Sequence, residues 1–250
     1  MKFKKTSFWK TKELISKNRK KSAYILSLDV LFFLLIFFLS KMISPDPYAI
    51  YNLQISAIII FIIIYSAFLL FFYSLTKYVI LLIIKSMHEK AEFKLKNYFR
   101  FAALNTAIAA IILIGVTIFS LLINLTVKQE NLALVSAIFL CAITIISYLY
   151  ANIAHMSFVI NNRIGKAIKD AFRVLFKQAA QYLPLLLNLL VFAVAYTLIS
   201  FAITPIIGAK NIFVYKNIFM SIAAVLLYTV LFLNRFYLFC KIDMSEFSTR

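Results

Sequence analysis

The chain has 250 residues, 64% of them hydrophobic and 14% charged, with a mean hydropathy of +0.93, whereas soluble domains carry about 25% charged residues. That composition excludes a soluble globular domain and indicates an all-α polytopic membrane protein. The formal net charge of +18 invites a nucleic-acid reading, but no segment between the apolar runs is long enough to fold as a basic domain, so the charge reads as topology and as attraction to anionic headgroups.

In chain order, residues 1–23 form a basic N-terminal segment, followed by a first span near 24–43 that contains SLDVLFFLLIFFLS and its one carboxylate, Asp29. A basic stretch before a short apolar core also describes a cleaved signal peptide. Here the basic stretch runs to Lys21 and SKMISPDP offers no small-x-small cleavage pair, so the span reads as an anchor. Charge-free runs follow from Pro47 to Thr76, Phe101 to Val127, Asn131 to Asn162 and Gln178 to Ala209, each long enough for one helix of about 20 residues but not for two and a turn. A further run continues through Arg235. The spans fall near 53–84, 101–126, 132–160, 182–207 and 213–240, so that 24–240 is a six-helix transmembrane domain and 241–250 a tail.

Basic residues are divided unevenly between the two sides of this arrangement. Segments 1–24, 77–100, 161–178 and 235–250 hold 9, 6, 5 and 3 Lys or Arg, and the opposite side holds Lys41, Lys128, Lys210 and Lys216. The positive-inside rule then puts both termini in the cytoplasm.

Three stretches, KNRKKSAYILSLDVLFFLL (17–35), KLKNYFRFAALNTAIAAIIL (94–113) and KQAAQYLPLLLNLLVFAVAY (177–196), run from basic residues straight into a span. Aligned on that transition, Asp29, Asn105 and Asn188 fall at one depth, at offsets of 76 and 83 residues. Three two-helix units of one orientation account for this, as does the plain alternation of basic loops and apolar spans in any six-span protein.

Between spans, RIGKAIKDAFRVLFK (163–177) places Ile164, Ala167, Ile168, Ala171, Phe172, Leu175 and Phe176 on one helical face. Arg163, Lys166, Lys169, Asp170, Arg173 and Lys177 lie opposite, and Arg163, Lys166, Lys169, Arg173 and Lys177 are candidate contacts for anionic headgroups. KSMHEKAEFKLKNYFR (85–100) is predicted to be a similar helix through Met87, Ala91, Leu95 and Phe99, and FWKTKELISK a weaker third. Such helices lie on lipid or dock into a groove of a cytoplasmic protein partner.

The join GKAIKDAFRVLFKQAAQYLPLLL, a basic amphipathic helix running into a proline-containing span, resembles the six-helix prokaryotic membrane family that includes the membrane domain of glycerophosphodiester phosphodiesterases. The resemblance implies a module of a prokaryotic plasma membrane associated with other activities. It carries over no catalytic residue, because no phosphodiesterase domain is present in the sequence.

Enzymatic readings lack their parts. There is no P-loop, GxSxG, HExxH or GxGxxG among three glycines, and no paired carboxylates within a span, so no catalytic, metal or cofactor residue is expected. Cys141 and Cys240 read as apolar core residues, His88 as solvated, and His155, with Asn152 one turn before it, as a structural hydrogen-bonding histidine. Polar residues at matched depth remain. Hairpin geometry pairs Asp29 with Lys77, Asn105 with Asn152 and Asn188 with Arg235. Asp29 is then neutralised by Lys77, or else it sits in the interface while Lys77 snorkels to headgroups. Two functions fit: a transport-related, permease-like subunit without its own ATPase, or a non-catalytic scaffold that holds lipid or protein.

Overall fold

A computed structural model describes residues 7–43, 55–177 and 212–247, together with Val194, Thr197 and Leu198. The described residues contain seven helices and no strand: α1 (Ser7–Lys17), α2 (Arg19–Ile43), α3 (Ile55–Lys85), α4 (Leu95–Thr126), α5 (Gln129–Asn161), α6 (Ile164–Lys177) and α7 (Ile212–Phe247). Stretches of α2, α3, α4, α5 and α7 are long and apolar enough to cross a membrane. The expected span near 182–207 lies almost entirely outside the described residues, as does Asn188. The chain is a helical membrane bundle that divides into two compact units, Leu14–Ala171 and Met1–Glu13 with Phe172–Arg250.

Helix α3 shows why lipid decides the conformation. Its sequence, ISAIIIFIIIYSAFLLFFYSLTKYVILLIIK, is rich in β-branched isoleucine, which lowers helix propensity in water. In hydrocarbon every backbone N–H and C=O needs a partner within the segment, and that requirement overrides side-chain preference. At 1.5 Å per residue its 31 residues span about 46 Å, more than the roughly 30 Å hydrocarbon core.

In the unit Leu14–Ala171, α3 is central and packs against α2, α4 and α5, and α4 packs on α5. Helices α4 and α5 form a tight hairpin joined by Val127 and Lys128, both extended, and the Val127 N–H donates to Ile123 O at 2.9 Å. Phe119 and Phe139 meet across it at 5.7 Å between ring centroids. At the other end of α5, Asn162 takes the left-handed conformation, φ 54° and ψ 28°, and stops the helix. Asparagine tolerates that region better than most residues, which lets the chain turn directly into α6.

Helix α1 is a separate helix because Asn18 interrupts it. The Asn18 backbone N–H is shared between Leu14 O and Ile15 O, both at 3.2 Å, and its side-chain Nδ2 adds a second donor to Leu14 O at 3.0 Å.

The expected helix over 85–100 is not formed. Helix α3 ends at Lys85, residues 86–89 make a turn, and 90–94 run without helical hydrogen bonds until α4 begins at Leu95. Tertiary contacts explain the break. Lys21 Nζ donates to Ser86 O at 2.6 Å, Lys85 Nζ donates to Val159 O at 2.9 Å, and Phe93 folds back to pack on Tyr78 and Tyr98 at 5.7 and 6.4 Å between centroids. A continuous helix would carry Phe93 away from both rings.

In the second unit, α7 buries Asn234, Phe236, Leu238, Phe239 and Cys240 in its C-terminal half. Tyr228, Phe232 and Phe236 form a ladder one turn apart along it, with centroids 6.1 and 5.1 Å apart.

Candidate functional site

Burial in the unit Leu14–Ala171 is concentrated at the end where the basic residues gather. In α4 the buried residues are Tyr98, Phe101, Leu104, Asn105 and Ile108, a 3-4 stripe confined to its first half. In α5 burial starts at Leu149, and in α3 at Ser74. Lys77 lies eight residues before the end of α3, so the aliphatic and aromatic layer encloses polar side chains about 12 Å inside the helix ends.

These polar side chains form two hydrogen-bonded chains across three helices. The Ser74 hydroxyl donates to Leu70 O at 2.6 Å within α3, a bond that leaves its oxygen lone pairs to accept. Asn105 Nδ2 of α4 donates to that oxygen at 2.8 Å. With its NH₂ so engaged, Asn105 presents Oδ1 to His155 Nε2 of α5, which fixes the tautomer with hydrogen on Nε2. His155 is 1% exposed, held between the rings of Phe101 and Tyr73 at 5.0 and 6.4 Å, and its Nδ1 has no hydrogen-bond partner among the described residues.

The second chain begins on the same face of α5, one turn earlier. Asn152 Nδ2 donates to Tyr148 O at 2.7 Å, which turns Oδ1 outward to accept from Lys77 Nζ at 2.9 Å. A hydrogen bond to an ammonium is stronger than a neutral one and gains further from a low local dielectric.

The polar residues singled out by depth therefore lie as follows. Asp29, Lys77, Asn105 and Asn152 are all buried in the same unit, on α2, α3, α4 and α5. The bonds from Lys77 to Asn152 and from Asn105 to Ser74 cross between hairpins, whereas that between Asn105 and His155 lies within the α4–α5 hairpin; Asn105 does not bond to Asn152. Arg235 lies on α7 and is half-buried. Arg163, Lys166, Lys169 and Arg173 are exposed at the head of α6 and along it, and Lys166 Nζ donates to Asn161 Oδ1 at 2.7 Å.

Two contributors were not legible as site residues. Ser74 has Thr76 at i+2 and Lys77 at i+3, of which only Lys77 shares its helical face, and His155 has only its i−3 spacing to Asn152. The two i, i+3 pairs on packed helices, Ser74 with Lys77 and Asn152 with His155, are the signal that marks the site. Among the described residues no group of three or more His, Cys, Asp or Glu is placed to hold a metal ion. No protein-family model matches the chain, and neither does any curated protein or any solved structure.

Proposed function

We infer that the chain is a six-span protein of a prokaryotic plasma membrane, with both termini cytoplasmic, that serves transport as a permease-like subunit without its own ATPase. One observation carries the reading: a carboxylate, an ammonium and an imidazole, Asp29, Lys77 and His155, are buried within apolar spans. Ionisable groups within spans are costly, and substrate and ion pathways are where that cost is recurrently met. The asymmetric distribution of Lys and Arg supports the cytoplasmic placement of the basic end. In this reading the polar lattice is a gate near the cytoplasmic face, closed in the present arrangement, and a cytoplasmic partner supplies the energy. The resemblance of residues 165–187 to a membrane module found beside other activities agrees with a subunit role. A three-unit repeat would place Asn188 and Arg235 as a third polar pair.

A second reading, a non-catalytic scaffold, is favoured by Asn105, whose Oδ1 and Nδ2 both have protein partners. Such saturation suits a lock between helices. Single cysteines at Ser74, Asn105 and Asn152, in a Cys141→Ser, Cys240→Ser background, separate the two when oriented vesicles are treated with a membrane-impermeant thiol reagent. A pathway predicts reaction at all three from one side. Protection at all three, while a control cysteine at His88 reacts, would leave the scaffold.

A further inference from the structure

Helix α6 offers a second surface, independent of the transport reading. Its roll is fixed by a side-chain bond, in which the Ser157 hydroxyl of α5 donates to Asp170 Oδ2 at 2.7 Å. Ala167 and Ala171 are fully buried, with Ile164, Ile168, Val174 and Leu175 partly covered around them. Most of the apolar face predicted for lipid is thus used up against protein. What remains exposed is Phe172 and Phe176, at 43% and 74%, with rings stacked 6.1 Å apart and interplanar angle 9°.

Helical geometry divides the surface of α6 into three sectors. With the alanine pair as reference, the phenylalanine pair lies about 140° round the axis, and Lys169, Arg173 and Lys166 follow within about a further 100°. The Asp170 carboxylate is drawn toward Ser157, so the solvent sector of α6 is purely cationic. The side chains of Arg163, Lys169 and Arg173 have no ion pair or hydrogen bond among the described residues. Helix α6 also begins within three residues of the end of an apolar, membrane-length helix, with Asn162 making the turn, so this surface stands at the membrane boundary.

We propose that α6 is a binding surface for anionic lipid, with Phe172 and Phe176 inserted at the acyl boundary and Arg163, Lys166, Lys169 and Arg173 holding headgroup phosphates. The occupant is lipid rather than a protein groove because two stacked rings form too narrow an apolar strip for a groove, which reads i, i+3, i+4 and i+7 anchors on one face. The same strip flanked by cations suits the interface between headgroups and chains.

The test uses the full chain in nanodiscs, with Trp9→Phe as background and Phe176→Trp as the reporter. Lipids brominated near the carbonyl end of the acyl chain should quench the new tryptophan more strongly than lipids brominated near the methyl end. The quenching should deepen when phosphatidylglycerol replaces phosphatidylcholine. Lys169→Gln with Arg173→Gln should abolish that headgroup dependence. Ile63→Trp, on an exposed position of α3, reports insertion and should be quenched by deep bromines in every preparation. With that control intact, a tryptophan at 176 that no lipid quenches overturns the proposal, whether its emission is that of an indole in water or of one buried against a copurifying protein. Equal quenching in both headgroup compositions overturns the anionic part.

Discussion

At the basic end of α2–α5, Tyr78, Phe101, Ile153 and Phe158 are essentially excluded from the surface and enclose Lys77, Asn105, Asn152 and His155. At the distal end, residues 30–39, 56–73, 109–126 and 129–148 include no buried position, and Ile63, Leu113, Leu125 and Leu134 stand exposed. The two ends are joined by the same four helices, and the distal one is the more apolar. Hydropathy therefore predicts location in lipid but not packing. Lipid tails are as apolar as leucine, so no hydrophobic force draws the distal faces together, and association depends on close fit and on polar groups that need partners. Those features exist where the aromatic stripe of α4 meets the polar residues of α3 and α5.

The contrast is broken most severely by uncovering the buried charge. If Asp29 and Lys77 interact, Asp29→Asn or Lys77→Met alone should each lower stability by about 3–5 kcal/mol, and the double variant should cost clearly less than their sum. Folded yield after a detergent challenge, read as a double-mutant cycle, measures this, and additive single effects would remove the coupling.

Aromatic packing comes next. Phe101→Ala should cost about 3–5 kcal/mol at the upper end of core truncations, because Phe101 touches His155, Phe158 and Tyr78 at once. Thermal unfolding monitored by size-exclusion chromatography would show the drop. A loss below roughly 1 kcal/mol would mean that the basic end is as loosely packed as the distal one.

A smaller effect is expected at the start of the relay. Ser74→Ala removes the acceptor for Asn105 Nδ2 and should cost about 1–3 kcal/mol, the range for a buried donor left unmade. Ser74→Thr, which keeps the hydroxyl, should recover part of it. The smallest effect belongs to the distal end, where Ile63→Ala and Leu113→Ala should stay within about 0.5 kcal/mol of the parent in the same assay. A large loss there would indicate that the distal faces are partnered in the membrane.

Length and charge were enough to read the membrane class and the approximate bounds of five helices, because a span is a local property of about 20 consecutive residues. The break between α3 and α4 was not legible. Residues 85–100 have a helical period, and what opposes it is a set of non-local contacts, Lys21 with Ser86, Lys85 with Val159, and Phe93 with Tyr78. Depth matching picks out Asp29, Lys77, Asn105 and Asn152, all buried in one unit, but it does not foresee that Asn105 bonds to Ser74 and His155, and Asn152 to Lys77, rather than to each other. Hydrogen bonds across α3, α4 and α5 depend on the roll of each helix, and the period of a uniformly apolar helix leaves roll undetermined. Ser74 is not legible for a related reason: a serine in a span can bond to its own i−4 carbonyl, and only the arrival of Asn105 gives it a second role.

Placement in lipid, the helical state and the end at which charge collects are legible from the residues alone, since each follows from transfer energies summed along a local segment. Which polar atoms meet is set by helix packing: the roll of α5 aligns Asn152 with Lys77 and His155 with Asn105, and the Ser157–Asp170 bond sets the roll of α6, on which Phe172 and Phe176 stay exposed. Those outcomes depend on interhelical distance and rotation, to which hydrocarbon is indifferent and a buried donor or acceptor is not.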